Sequence, residues 1–286
     1  MRAHLRIDFR PYQRLIILVA PSHRGKAMKR LIAALMGGLI EAAGAQDLTR
    51  YLDLTSPEMV AADTTRAEVE AQLAAASPGH PADFTGKHLS GLDLSGVNLS
   101  HAVLRAARLN KTKLAGARLD GAVLDQAWLL EADLSKASLK QASLFAAQMQ
   151  RAKLDGADLS GARIAADLSG ASLVGASLKG ADLGADMKNQ SMGLMRAVLK
   201  SARLDRVDAR DANLARADLE FASLEGADLT GASLVGAALA GANLKAATIA
   251  GADFAGADVD AMRLIAPVGT AKNLDKAENR ARMLSK

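Results

Sequence analysis

The sequence predicts an all-β solenoid with short α-helices capping both ends, and three observations predict it. A large aliphatic residue recurs at every fifth position from Phe84 through Leu89, Leu94, Leu99, Leu104, Leu109, Leu114 and Leu119 onward, with a small residue, mostly Ala, two places before it. Aromatic residues are 3% of the chain against 50% hydrophobic overall, so the interior must be narrow and lined by Ala and Leu. A helix cannot carry this period. Five residues advance a helix by about 140°, so the leucines would spiral over every face and bury on none.

The unit is plain in Ala157-Asp158-Leu159-Ser160-Gly161, Ala227-Asp228-Leu229-Thr230-Gly231 and Ala252-Asp253-Phe254-Ala255-Gly256. With the aliphatic residue called i, positions i−2 and i share one face of an extended segment, because side chains alternate along a strand. Position i−1 points outward, and i+1 with i+2, rich in Ser, Thr and Gly, is turn chemistry. Each unit is a very short strand followed by a corner.

These units resemble the pentapeptide-repeat family, whose pattern is A(D/N)LxX, over residues 82–264. The resemblance implies a right-handed β-helix of square cross-section, with four units to a coil and i−2 and i inward. It also brings a functional alternative: some members resemble double-stranded DNA and inhibit type II topoisomerases such as gyrase. That role relies on a strongly acidic surface, whereas residues 82–266 hold 21 Lys/Arg and 21 Asp/Glu.

One irregularity tests the frame. Ile164 to Leu168 is four residues and Leu183 to Leu199 is sixteen, yet Ile164 to Leu199 is thirty-five, which reads as seven units. On that reading the rod continues through a local distortion to Leu264, with Ala209 standing once at i. It would hold slightly more than nine coils, a length of about 44 Å at the ~4.8 Å spacing of stacked strands.

The ends read differently. Met28-Lys29-Arg30, the apolar run Leu31 to Ile40 and Ala43-Gly44-Ala45 form the charged, apolar and small-residue regions of a secretory signal peptide over 28–45. Cleavage before Gln46 and translation from Met28 are expected, with residues 1–45 as leader and a periplasmic or secreted product that keeps no stable membrane anchor. Residues 46–81 form an N-terminal helical cap, with helix starts at Ser56-Pro57-Glu58 and at the capping box Thr65-Arg66-Ala67-Glu68. The repeats occupy 82–266. Pro267 closes them, and Leu274, Ala277, Ala281 and Leu284 mark one face of a final helix over 267–286.

Composition argues against several classes of function. The chain has no Cys, which removes disulfides, thiol nucleophiles and thiolate metal sites. Its net charge of +5 is concentrated in the leader, so the remainder is close to neutral and a nucleic-acid groove has no support. His80, His88 and His101 fall on different sides of the first coil without metal-ligand spacing, and no His is placed to activate a serine. No catalytic, cofactor or metal residue is expected. The i−1 column Asp93, Lys113, Asp133, Lys153 alternates in sign, and the stretch Arg203, Asp205, Arg206, Asp208, Arg210, Asp211 and Arg216 is mixed, both as solvated ladders are.

What remains is a non-enzymatic scaffold that presents a β-helical surface to a protein partner, or to a second copy of the chain. The expected partner-binding residues are Trp128 and Leu130, at i−1 and i+1 of the unit centred on Leu129, and Phe145, at i+1 of the unit centred on Leu144. All three are expected in solvent where other units place polar groups, with Arg108 and Gln148 as column neighbours of Trp128. Residues 184–198 are expected to bulge, with Met187, Met192 and Met195 as an adaptable contact surface or as core filling.

Overall fold

The computed structural model describes residues 56–185 and 195–285. The proposed leader and the segment up to Thr55 therefore lie outside the described residues, as do Met187 and Met192. Described residues belong to a compact unit spanning Ala43–Lys286.

The alternation of side chains along each unit becomes a solenoid through single-residue parallel bridges, one per unit, at position i−1. Four columns of bridges result. Face 1 begins at Asp83 and continues through Val103, Val123, Ser143, Arg163, Asp182, Asn213, Ser233 and Asp253. Face 2 runs His88, Arg108, Trp128, Gln148, Asp167, Val198, Asp218, Ala238, Asp258 and Glu278; faces 3 and 4 begin at Asp93 and Asn98. Each rung uses both backbone groups: Val103 N–H donates to Ala82 O in the coil before, and Leu104 N–H donates to Val123 O in the coil after.

Positions i−2 and i fill the interior, where Ala127, Leu129, Ala157, Leu159, Ala227 and Leu229 are all 1% exposed or less. Corners close when the N–H three residues after i donates back to the carbonyl of i, as Ala102 does to Leu99 at 3.1 Å. The corner residue at i+2 takes a left-handed φ, +66° at Gly161 and +57° at Glu131, as the third position of a type II turn demands. Glycine takes that φ without strain, which explains its recurrence at i+2. Where Asp stands at i−1, its carboxylate caps the corner by accepting from the residue two places on, as Asp158 does from Ser160 N at 3.0 Å and Oγ at 2.5 Å. Where Asp stands at i+1 it ties two coils together: Asp120 and Asp125 accept from the hydroxyls of Ser138 and Ser143 in the coil above.

The irregular stretch folds differently from the seven-unit reading. Arg163 and Asp167 occupy consecutive faces four residues apart, and Asp182 and Val198 occupy consecutive faces sixteen residues apart. Ile164 to Leu199 is therefore five faces, not seven. A one-residue deletion and an eleven-residue insertion sum to ten, which a five-residue period cannot distinguish from two whole units. Across this point stacked residues are thirty-one apart, as Asp167 and Val198 are, rather than twenty. The expected total of faces falls accordingly.

The first coil would leave backbone acceptors open along its lower edge, and the preceding chain occupies them. Helix α1 (Pro57–Val60) and helix α2 (Arg66–Ala74) lead into the repeats. Thr65 is the N-cap of α2, with the reciprocal bond between its backbone and Glu68 that the sequence predicts. Arg66 Nη1 donates to Asp93 O at 3.0 Å, Gln72 Nε2 to Asp83 O at 2.8 Å, and Asp63 N to His88 O at 2.9 Å. Three of the four faces thus have an edge carbonyl satisfied, and Val69, 1% exposed, closes the apolar interior.

The C-terminal segment does not form the expected helix. Val268, Lys272, Glu278 and Leu284 each bridge to the coil below, so the chain makes a further, irregular turn of the solenoid. Its corners are 3₁₀ turns at Leu274–Lys276 and Arg280–Arg282. The spacing that suggested a helix arises because Leu274 and Ala277 pack as partly buried residues on the interior from these tight turns, while Leu284 is 52% exposed.

Candidate interaction surface

Outward positions on faces 3 and 4 are polar along the repeats, from Asp93, Lys113, Asp133 and Lys153 to Asn98, Arg118, Ser138 and Asp158. Charge pairing there follows the expected ladder, with Lys113 Nζ 3.6 Å from Asp93 and Lys140 Nζ 3.2 Å from Asp158. The Arg/Asp stretch after Leu199 pairs within itself: Arg210 grips Asp208 through two nitrogens, at 2.8 and 2.6 Å, and lies 3.7 Å from Asp228. The Arg210 guanidinium holds the Asp208 carboxyl below its usual range, and Asp208 in turn pushes Arg210 up. Exposed pairs of this kind are worth at most about 1 kcal/mol and leave no single-sign patch.

Face 2 and its two flanking corners depart from this pattern. Trp128 stands on face 2 between Arg108 and Gln148, as its column position predicts, and is half-buried. Phe145 is half-buried at the corner between faces 1 and 2, with the Arg163 guanidinium 5.0 Å from its ring centroid, a cation–π distance. The eleven extra residues between Asp182 and Val198 fall in sequence at that same corner, between faces 1 and 2.

Leu130 is a correction. It lies at the other corner, between faces 2 and 3, and is 7% exposed rather than in solvent. Its neighbours in the corner column, Ser90 at 3% and Asn110 at 6%, are buried with it. Asn110 donates from Nδ2 to Met59 O at 3.0 Å and accepts the Leu130 N–H at 3.1 Å, so the chain before the repeats overlies this corner. The unit frame places a residue at i+1 but carries no information about a distant segment laid over it. Met195 is likewise buried, at 7%, outside the main interior, which withdraws it from an exposed contact surface.

Two features escape a reading of the repeats alone. Phe221 is 67% exposed at the face 2–3 corner, and its ring lies against Gly241 one coil up: a Cβ on Gly241 would stand 2.6 Å from the ring. The signal was a phenyl ring at i+2, a position that elsewhere holds Gly, Ala or a polar or charged side chain such as Lys111, Glu131 or Arg151. Asp218, 3% exposed on face 2, accepts from Arg196 Nη2 at 3.1 Å and lies 3.4 Å from Lys200 Nζ. Hydrogen bonding to Glu220, with the Asp218 charge, raises the Lys200 pKa. Arg196 also reaches Arg216 O at 3.2 Å, so the end of the insertion is pinned to face 2.

Among the described residues no three His, Asp or Glu side chains come close enough to hold a metal ion, and no helix is long and apolar enough to cross a membrane.

A solenoid of five-residue units with i−2 and i inward defines a repeat protein whose chemistry is carried by its outward columns. A family model of pentapeptide repeats matches residues 88–126, 124–161, 164–188, 194–231 and 222–260, in eight copies, and the chain belongs to the pentapeptide-repeat family. No curated protein matches it. Among solved structures it is similar to HetL, a pentapeptide-repeat protein involved in heterocyst differentiation regulation in the cyanobacterium Nostoc sp. strain PCC 7120. That match is 28% identical over 75% of this chain and 94% of HetL, with a TM-score of 0.33. QnrB1, a plasmid-mediated fluoroquinolone resistance protein, is 16% identical over 65% of this chain and 91% of its own, with a TM-score of 0.37. A pentapeptide-repeat protein from the thylakoid lumen of Arabidopsis thaliana is 23% identical over 49% of this chain and 77% of its own, with a TM-score of 0.22.

Proposed function

We propose that this protein is an exported, non-enzymatic scaffold that binds a protein partner along face 2 of a right-handed, quadrilateral β-helix of about nine coils. One observation carries the reading. Outward positions on faces 3 and 4 are polar along the regular coils, with exposed Val268 and Leu284 only in the C-terminal coil, whereas Trp128, Phe145 and Phe221 fall on face 2 or its corners. An aromatic centre with a rim of Arg108, Gln148 and Arg163 is the composition of interface hot spots.

The leader supports export, to the periplasm or beyond, and cleavage between Ala45 and Gln46 leaves a product without a membrane anchor. Balanced charge over residues 82–266 disfavours the DNA-mimic alternative, since mimicry of a polyanion needs one sign. A second copy of the chain is the other candidate occupant of face 2.

The test uses the exported protein immobilised beside its Trp128→Ala/Phe145→Ala variant and exposed to a periplasmic extract. Selective retention of a partner by the parent alone supports the reading, and equal retention by both overturns it. N-terminal sequencing of the exported material checks the cleavage site; an intact Met1 terminus on retained cytoplasmic protein would end the export argument.

A further inference from the structure

The open part of face 2 is short, and the groups around it have one chemistry. We propose that the corner between faces 1 and 2 binds an acidic peptide segment of the partner, with its apolar side chains on Val103, Val123, Trp128 and Phe145 and its carboxylates on Arg108 and Arg163. This site rests on the reading of face 2 as the partner surface, and adds what the partner must carry.

On face 1 the i−1 column starts at Asp83 and continues with Val103 and Val123, which bridge to each other in the second and third coils. Both valines are partly exposed, at positions where faces 3 and 4 carry polar groups in the same coils. Trp128 occupies the third coil on face 2, five residues after Val123 and across the corner from it. Phe145 stands at that corner one coil higher, where its N–H donates to Asp125 Oδ1 at 3.2 Å. Four partly exposed apolar side chains therefore surround one corner over three coils, about 10 Å along the axis at the ~4.8 Å spacing. Face 2 closes above Gln148: Asp167, Val198 and Asp218, in the next three coils, are at most 7% exposed.

Charge around this corner selects the partner's sign. At the corner and on the two faces beside it, coils two to four place the guanidiniums of Arg105 and Arg108 and a single carboxylate, Asp125. Asp125 is spent within the rod, accepting from Ser143 Oγ and the Phe145 N–H and lying 3.7 Å from Arg105. In coil five, exposed Arg163 adds a third guanidinium, 5.0 Å from the Phe145 ring centroid. The carboxylate beside it, Asp167, is buried and accepts from Gln150 and Ser169. All three cations are arginines, whose planar fork matches a carboxylate. Arg108 and Arg163 stand three coils apart on opposite sides of the corner, about 14 Å along the axis, a distance that four to five extended residues span. Valine offers no ring on which a base could stack, so the apolar part of the site matches aliphatic and aromatic side chains rather than a nucleic acid strand.

Trp128 is the only tryptophan of the chain, so its emission reports binding at the site. The full protein is titrated with a blocked synthetic peptide that carries two Asp around Leu and Phe, with the same peptide bearing Lys for Asp, and with a single-stranded oligodeoxythymidylate. The acidic peptide should shift the emission to the blue and bind about tenfold more tightly than the Lys peptide, with the difference shrinking at high salt. Arg108→Glu combined with Arg163→Glu should reverse the preference with the thermal melt retained, and the comparison on the parent protein stands whether or not that variant folds. Equal binding of the two peptides, binding of neither, or tighter binding of the oligonucleotide overturns the proposal. An emission that shifts with the concentration of the protein alone overturns it too, and would assign the corner to a second copy. Retention of a partner from extract that is lost in Trp128→Ala/Phe145→Ala but kept in Arg108→Glu/Arg163→Glu would remove the acidic partner and leave face 2 as the partner surface.

Discussion

Val207 and Ala209 reverse the usual sizes at i−2 and i, and they allow a sharp test of how the interior is packed. Ala209 stacks between Leu178 and Leu229 on face 4, where its neighbours place four side-chain carbons beyond Cα and it places one. Val207, at i−2, restores two of the three missing carbons, and both residues are 1% exposed. Val207→Ala alone removes two buried carbons, worth about 1.6 kcal/mol in transfer, and the cavity brings the loss to about 2 kcal/mol. Ala209→Leu alone inserts three carbons beside an intact Val207 and should cost about 1–3 kcal/mol in overpacking. The double variant recreates the regular Ala-Asp-Leu unit and should lie within about 1 kcal/mol of the parent, a favourable coupling of at least about 2 kcal/mol. At about 2–4 °C per kcal/mol for a domain of this size, each single variant melts several degrees lower and the double recovers most of the loss. Thermal unfolding followed by circular dichroism reads all four proteins. If the double variant loses the sum of the two singles, the two positions do not share one volume and the packing argument fails.

Four further outcomes follow from the same geometry. Leu159→Asp, at a position 0% exposed, buries an unpaired charge and should unfold or severely destabilise the rod, whereas Asp158→Ala should be mild; the reverse order of melting temperatures would invert the inward and outward assignments. Hydrogen bonds from Thr85 and Ser95 lower the pKa of Asp83 and Asp93, and those from Ser135 lower Asp133, so their unfolded forms bind protons at higher pH than the folded ones do. Their contribution is complete above the ordinary carboxylate range, near pH 4, and is lost as pH falls through the lower folded values; melting temperatures should be flat near neutrality and fall steeply below about pH 4. Gly241→Ala sets a Cβ 2.6 Å from the Phe221 ring at a left-handed φ of +68°, and should destabilise less when Phe221→Ala is combined with it, which a double-variant melt measures. Asp218→Ala should release Arg196 from face 2, read as faster proteolysis between Gly184 and Val198 with the remaining coils resistant; unchanged cleavage would show that this carboxylate does not pin the insertion.

The repeat, its register and the capping box before α2 were legible in the sequence because each is a local rule. A five-residue period with Ala at i−2 and Leu at i decides which side chains point inward, and the bridged columns at i−1 agree with it on both sides of the insertion. Trp128 was placed between Arg108 and Gln148 by the same arithmetic. Period alone could not show that Ile164 to Leu199 spans five faces, because an eleven-residue insertion less one residue imitates two whole units. Nor could it foresee that Met59 would bond to Asn110 at the corner where Leu130 is buried, or that Arg196 would close on Asp218, since these contacts join segments whose separation in sequence carries no periodic signal. The C-terminal coil shows the same limit from the other side. Leu274, Ala277, Ala281 and Leu284 have helical spacing, but open backbone groups at the last regular coil offer bridges to Val268, Lys272, Glu278 and Leu284, and that edge decided the conformation. Local pattern, then, determined the wall of this protein and which side of it faces inward; long-range hydrogen bonding decided how many faces the irregular stretch spans, what lies over the corner between faces 2 and 3, and how the chain closes its last coil.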